Sequence, residues 1–60
     1  MNEKQISDYA RRLRDSHGDK AELVAAQKAK DFEARNKADD AEDWKRIRAA
    51  LRELRDVKLS

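Results

Sequence analysis

The 60-residue chain contains no cysteine and no proline, a single glycine and only three aromatic side chains. Without cysteine it can form neither a disulfide bond nor a zinc–thiolate site. Without proline, only Gly18 is a strong local signal for ending a helix. No apolar run approaches the roughly 20 residues that a membrane-spanning helix needs. The first four residues lack the basic and apolar stretches of a signal peptide, so a cytoplasmic location is expected.

Charged residues make up 47% of the chain, but acids and bases nearly balance and the net charge is only +2. That excess is too small to indicate nucleic-acid binding on its own. The apolar fraction is 38% and consists largely of alanine, so the core must be thin. Low net charge and clear helical periodicity argue against disorder. We therefore expect a marginally stable monomer, or a chain that gains stability from self-association or a partner.

The apolar periodicity and the residues typical of helix ends predict three helices, at about residues 3–16, 20–37 and 41–57. The third contains most of the bulky apolar residues, and their spacing of three or four places them on one stripe: Trp44, Ile47, Leu51 and Leu54. Short connections favour antiparallel neighbours. The predicted fold is all-α, a single domain spanning 1–60 and arranged as an up-down-up three-helix bundle. A helical hairpin with a loose third helix, or a helical dimer, is the alternative.

Particular residues mark the predicted helix ends. Gly18 follows the last periodic residue of the first helix, where glycine supplies the left-handed C′ conformation that ends a helix. Asp19 can cap the second helix, with Glu22 completing a capping box. Asn36 suits the end of the second helix because asparagine tolerates the left-handed region. Asp39 or Asp40 can then cap the third.

The most distinctive polar feature is a group of basic residues that fall within roughly 80° of one another on the third helix. We call Lys45, Arg48, Arg52 and Arg55 the basic strip. Trp44 lies beside it, and these five are the candidate partner-binding residues. The competing interpretation is a solvated flank whose long side chains pair with nearby carboxylates. Three further arginines on the first helix could extend the strip if the two helices are neighbours: Arg11, Arg12 and Arg14.

Catalytic chemistry has little support in the sequence. No serine lies near a base in a recognisable motif, and no phosphate-binding loop or paired carboxylates are found. His17 lacks a second histidine or a cysteine to complete a metal site. The acidic group that opens the third helix is explained by capping: Asp39, Asp40, Glu42 and Asp43. We also expect so small a bundle to lack room for a pocket of roughly 300 Å³. No enzyme activity, cofactor or metal is predicted.

Three segments between Tyr9 and Leu54 are similar in sequence to known small helical proteins: His17-Gly18-Asp19-Lys20-Ala21, Ala25-Ala26-Gln27-Lys28-Ala29, and Ala41-Glu42-Asp43-Trp44 followed by Ile47-Arg48. In these segments the chain resembles small all-helical hypothetical proteins of alphaproteobacteria. The resemblance covers most of the chain and implies a bacterial origin. It implies no activity.

The sequence thus favours a small cytoplasmic helical module without catalytic activity that docks onto a protein partner or onto itself. The alternative is a small basic nucleic-acid-binding protein that uses the basic strip together with the arginines of the first helix. Neither a membrane nor a small-molecule substrate is expected as a partner.

Overall fold

The computed structural model describes residues 1–57, with side chains described through residue 55, and all of its regular structure is helical. Helix α1 spans Glu3–His17, helix α2 spans Ala21–Ala34 and helix α3 spans Ala38–Val57. A single 3-10 turn, Gly18–Lys20, joins α1 to α2. The all-α prediction is confirmed. The main shift in bounds is between the second and third helices, where α2 ends at Ala34 and α3 begins at Ala38.

Helix α1 begins with a capping box that was not among the predicted helix caps. The backbone N–H of Gln5 donates to Asn2 Oδ1 at 2.8 Å, and the backbone N–H of Asn2 donates to Gln5 Oε1 at 3.0 Å. Two amide hydrogens that lack partners inside the helix are thereby satisfied. At the other end, Gly18 has φ 58° and ψ −129°. Its φ is positive, but this ψ lies outside the left-handed helical region that the sequence predicted.

The predicted caps of the other two helices are wrong. Neither the 3-10 turn nor α2 has a side-chain cap, so Asp19 does not cap the second helix. The 3-10 turn already carries the chain into α2 and leaves no separate capping position. Helix α3 begins before Asp39 and Asp40, so these residues lie inside its first turn, where their charge suits the helix dipole.

Helix α2 ends in a Schellman motif. The N–H of Lys37 donates to the carbonyl of Phe32 at 2.9 Å, and that of Asn36 donates to Glu33 at 3.1 Å. Asn36 has φ 61°, as the sequence predicted. This pattern needs a residue in the left-handed region just after the helix, and asparagine adopts it more readily than most.

Two ion pairs show the relative direction of α2 and α3. Glu22, near the start of α2, contacts Arg55 at 2.8 Å, and Glu33, near its end, contacts Lys45 at 2.7 Å. The two helices are therefore antiparallel. They also share the most extensive packing in the molecule, whereas α1 packs mainly on α3 and touches α2 least.

The core is small and rich in alanine. Among the described side chains, nine apolar residues are buried and five of them are alanines: Ile6, Ala10, Leu13, Ala21, Ala25, Ala29, Ala41, Ile47 and Leu51. Only Ile47 is both large and fully buried. Trp44 and Leu54 pack against this core but remain half-buried. The predicted stripe on α3 is therefore the core face, with its centre at Ile47 and Leu51.

Candidate functional site

The basic strip lies on the flank of α3 that faces α2. All four of its residues are exposed. At one end, Lys45 Nζ contacts Glu33 Oε2 at 2.7 Å; at the other, Arg55 Nη1 contacts Glu22 Oε2 at 2.8 Å. The solvated-flank interpretation therefore describes both ends of the strip, because each end is paired with a carboxylate of α2.

The charge of the strip is concentrated at its middle. Arg48 and Arg52 are one helical turn apart and form no ion pair with any side chain through residue 55. At the end of the strip, the hydrogen bond from Lys45 to Glu33 and the negative charge of Glu33 raise the pKa of Lys45. The exposed positive charge that a ligand would meet is therefore that of the two central arginines.

Trp44 does not share a surface with the basic strip, although it is the next residue in sequence to Lys45. Its indole is half-buried and meets the ring of Tyr9 on α1 edge to face, with centroids 5.3 Å apart and planes at 81°. Lys45 and Arg55 instead contact α2. The structure therefore divides the five candidate residues into a basic strip beside α2 and a tryptophan that faces α1.

Trp44 belongs to a second surface, which we call the aromatic patch: Met1, Tyr9 and Trp44. Met1 is 48% exposed and Tyr9 is 39% exposed. The N-terminal amino group of Met1 lies 3.3 Å from Asp43 Oδ2 on α3, the residue before Trp44. Met1, Tyr9 and Arg12 also line a shallow groove of about 320 Å³ along α1.

The spacing of Ile6, Tyr9 and Leu13 predicts that Tyr9 lies on an apolar stripe of the first helix, but it does not predict this patch. Tyr9 lies at the edge of the stripe, because on a helical wheel it is about 60° from Ile6. That offset is the signal that marks Tyr9 as more exposed than its neighbours. The contribution of Met1 depends on its contact with α3 and has no signature in the sequence.

The three arginines of α1 point to three different places. Arg14 lines a crevice with Arg55, so it alone reaches an end of the basic strip. Arg12 borders the aromatic patch. Arg11 lines the groove between α1 and α3, opposite Arg46. The structure thus extends the strip by one arginine.

The surface contains larger depressions than the sequence led us to expect. The groove between α1 and α3 measures about 640 Å³, and the crevice beside Gly18 about 650 Å³. The expectation that the chain has no room for about 300 Å³ is therefore wrong. Three carboxylates oppose the two arginines of the crevice, which makes it a poor site for an anion: Asp15, Asp19 and Glu22.

The candidates for metal binding stay apart. His17 is exposed at the end of α1, and Asp39 and Asp40 are exposed in the first turn of α3. Among the side chains described, which end at residue 55, no three histidine, cysteine or acidic residues are grouped as a metal ion would need.

Within residues 1–57, none of the helices combines the length and the apolar character that crossing a membrane requires. Comparison of the chain with protein-family models, with curated proteins and with solved structures finds no match.

Proposed function

We propose that this chain is a small cytoplasmic interaction module of bacterial origin, an up-down-up three-helix bundle without catalytic activity that binds a protein partner through its aromatic patch. The observation that carries the proposal is the distribution of apolar side chains. Alanine makes up most of the buried core, whereas Met1 and Tyr9 are exposed and Trp44 is only half-buried. A chain with so few large side chains gains little from leaving them in water.

The composition of the patch supports a protein as the partner. Tyrosine, tryptophan, methionine and arginine are the residues enriched in protein interfaces, and the first two dominate binding hot spots. Arg12 at the border of the patch is exposed and forms no ion pair with a described side chain. A partner that places apolar side chains on Tyr9 and a carboxylate near Arg12 would match both features.

Affinity capture with three immobilised baits tests the proposal: the wild-type chain, Tyr9→Ala and Leu23→Ala. Leu23 is the matched control, because it is also apolar, is 58% exposed and lies on α2, away from the patch. A protein that uses the patch should bind the wild type and Leu23→Ala equally and bind Tyr9→Ala at least about tenfold more weakly. Equal capture by all three baits would remove the basis of the proposal. Circular dichroism confirms that each bait is helical.

The middle of the basic strip supports a second candidate, a phosphate-directed nucleic-acid-binding protein. Arg48 and Arg52 are exposed, unpaired among the described side chains, and one turn apart. Arg14 adds a further cation at the Arg55 end. Against this, Glu22 and Glu33 neutralise the ends of the strip, and the whole chain has a net charge of only +2.

Titration of a fluorescent single-stranded or duplex oligonucleotide at several salt concentrations separates the two candidates. Phosphate contacts make binding fall steeply with salt, and the double change Arg48→Ala and Arg52→Ala should reduce the slope by about two. Tyr9→Ala should leave this binding unchanged. Failure of the oligonucleotide to bind even at low salt would exclude the second candidate.

A further inference from the structure

The connection between α1 and α2 contains one sharp departure from helical geometry, at Gly18. Between Glu3 and Ala34, Gly18 is the only residue with a positive φ. His17 before it, and Lys20 and Ala21 after it, lie in the right-handed region, with φ −114° and ψ −10° at His17 and φ −85° and ψ −3° at Lys20, and residues 18–20 form a 3-10 turn. A large rotation of the backbone at Gly18, with smaller adjustments at its neighbours, would therefore convert α1, the turn and α2 into one helix of about 48 Å.

Packing does not hold this turn closed. A Cβ atom added to Gly18 would have no neighbour within 4 Å, and no residue of the 3-10 turn is buried. The bent conformation therefore depends on the backbone freedom of glycine, because φ 58° with ψ −129° suits few other residues. The bend and the straight helix differ at this position mainly by backbone preference.

A straight helix would carry only part of the apolar stripe of α1 onto α2. At 100° per residue, Ile6, Leu13 and Val24 fall within about 20° of one another, whereas the buried Ala29 of α2 falls about 140° from Ile6. In the straight form α1 would project beyond the α2–α3 pair, and its apolar side chains would be uncovered.

Helix α1 is also the helix that is held least. Helices α2 and α3 share the largest packing surface and the two interhelix ion pairs at Glu22 and Glu33. Helix α1 has the Tyr9–Trp44 contact, the Met1–Asp43 contact and three buried residues: Ile6, Ala10 and Leu13. Helix α1 can therefore detach from α3 while α2 and α3 keep their contacts with each other.

We propose that this chain dimerises by exchanging α1, with the segment Glu3–Ala34 straightened at Gly18 and each α1 seated on α3 of a second copy. The occupant of the vacated surface is defined, because an identical α1 makes there every contact that the original made. In the dimer, Tyr9 of one chain packs on Trp44 of the other. The aromatic patch is then assembled from two chains, although the exchange itself does not depend on the proposed partner.

Substitution at Gly18 by the two mirror-image forms of alanine gives a matched test, since a chain of this length can be made by chemical synthesis. The methyl group of Gly18→Ala meets no atom within 4 Å beyond its chain neighbours, and Gly18→D-Ala adds the same group with the opposite handedness. Gly18→Ala disfavours the positive φ and favours a continuous helix, whereas Gly18→D-Ala does the opposite. Alanine is favoured over glycine in a helix by about fivefold per site, so two hinges should lower the dimer dissociation constant at least about 25-fold for Gly18→Ala.

Sedimentation equilibrium gives the dissociation constants, and cross-linking shows whether the dimer is exchanged. A chain carrying Ser7→Cys is mixed with one carrying Ala50→Cys and treated with a short bis-maleimide. Both positions line the groove between α1 and α3. Mixed cross-linked pairs, identified by mass, should be abundant in the Gly18→Ala background and reduced at least about tenfold in the Gly18→D-Ala background.

Each result decides the proposal. A Gly18→Ala chain that is helical and remains monomeric overturns it, and so does a dimer that yields no mixed pairs, because such a dimer has not exchanged α1. If Gly18→Ala loses its helical circular dichroism signal, the comparison of wild type with Gly18→D-Ala remains. Equal yields of mixed pairs from those two backgrounds at the same concentration would also overturn the proposal.

Discussion

The ring of Tyr9 meets that of Trp44 edge to face, with centroids 5.3 Å apart and planes at 81°. This contact joins α1 to α3 at a position where both rings are still partly in water. Edge-to-face pairs gain from the attraction between the positive edge of one ring and the negative face of the other. The contact therefore contributes to holding α1 in place and also leaves apolar surface for a partner.

A double-mutant cycle should measure this contact. Trp44→Leu and Tyr9→Leu each keep an apolar side chain and remove an aromatic ring, and their effects on the free energy of unfolding should fall short of additivity by about 0.5–1.5 kcal/mol. Urea titration followed by circular dichroism gives the four free energies. Strict additivity would show that the rings do not interact in solution.

Truncation of the indole should also be measurable. Because Trp44 is half-buried, Trp44→Ala should lower the free energy of unfolding by about 2–3 kcal/mol, less than the loss of a fully buried tryptophan.

Ile47 should be the most sensitive position in the chain. Through residue 55 it is the only large side chain that is fully buried, and truncation leaves a cavity in a core that otherwise consists mostly of alanine. Ile47→Ala should cost about 3 kcal/mol, which is comparable with the whole stability of a domain of this size. The helical signal at 25 °C should largely disappear. Leu23→Ala is the control, because Leu23 is 58% exposed and its loss should change stability by less than about 0.5 kcal/mol.

The cap of α1 should contribute measurably. Asn2→Ala removes the Oδ1 atom that accepts from the backbone N–H of Gln5, and the expected cost is about 1 kcal/mol. Asn2→Asp retains an acceptor and should keep most of the stability. Because the cap lies at the start of the helix that is held least, we expect the loss to raise amide hydrogen exchange first in α1. Exchange that rises equally in α2 and α3 would show instead that the three helices unfold as one unit.

The parts of the fold that repeat with helical period could be predicted from the sequence. Ile47 and Leu51 are buried as their spacing indicated, and Gly18 and Asn36 have the positive φ that their residue types favour. Such features depend on neighbours within four residues, so one sequence contains the relevant information. Asn2 with Gln5 three residues later is also a local pattern, and the box that these two residues form could have been read in the same way.

The candidate site was less predictable because its geometry depends on contacts between helices. Spacing placed Lys45 and Arg55 on one flank of α3, but it could not show that Glu33 and Glu22 of α2 lie opposite them. It also placed Trp44 beside the strip, whereas the packing of α1 turns that indole toward Tyr9. The cap at Asp19 is wrong for a local reason, because the 3-10 turn leads directly into α2 and leaves no separate capping position.

The ion pair between Lys45 and Glu33 should be visible in the titration of the lysine. The hydrogen bond to Glu33 and its negative charge raise the pKa of Lys45 above 10.5. In Glu33→Gln the charge is lost, and the pKa should fall back toward 10.5. Glu22→Gln is the matched control, because it removes the carboxylate at Arg55 and leaves Lys45 paired. Carbon chemical shifts of the lysine Cε, followed by NMR between pH 8 and about 12, give both values.

The same shift predicts the direction in which pH acts on stability. A lysine whose pKa is higher in the folded state binds its proton more tightly there, so the pair stabilises the fold at pH values below the unfolded pKa. The contribution is lost as the pH rises through the raised pKa of Lys45. Both side chains are about half exposed, which keeps the effect small. Wild type should therefore lose slightly more stability than Glu33→Gln between pH 9 and about 12, and equal losses would show that the pair is not formed in solution.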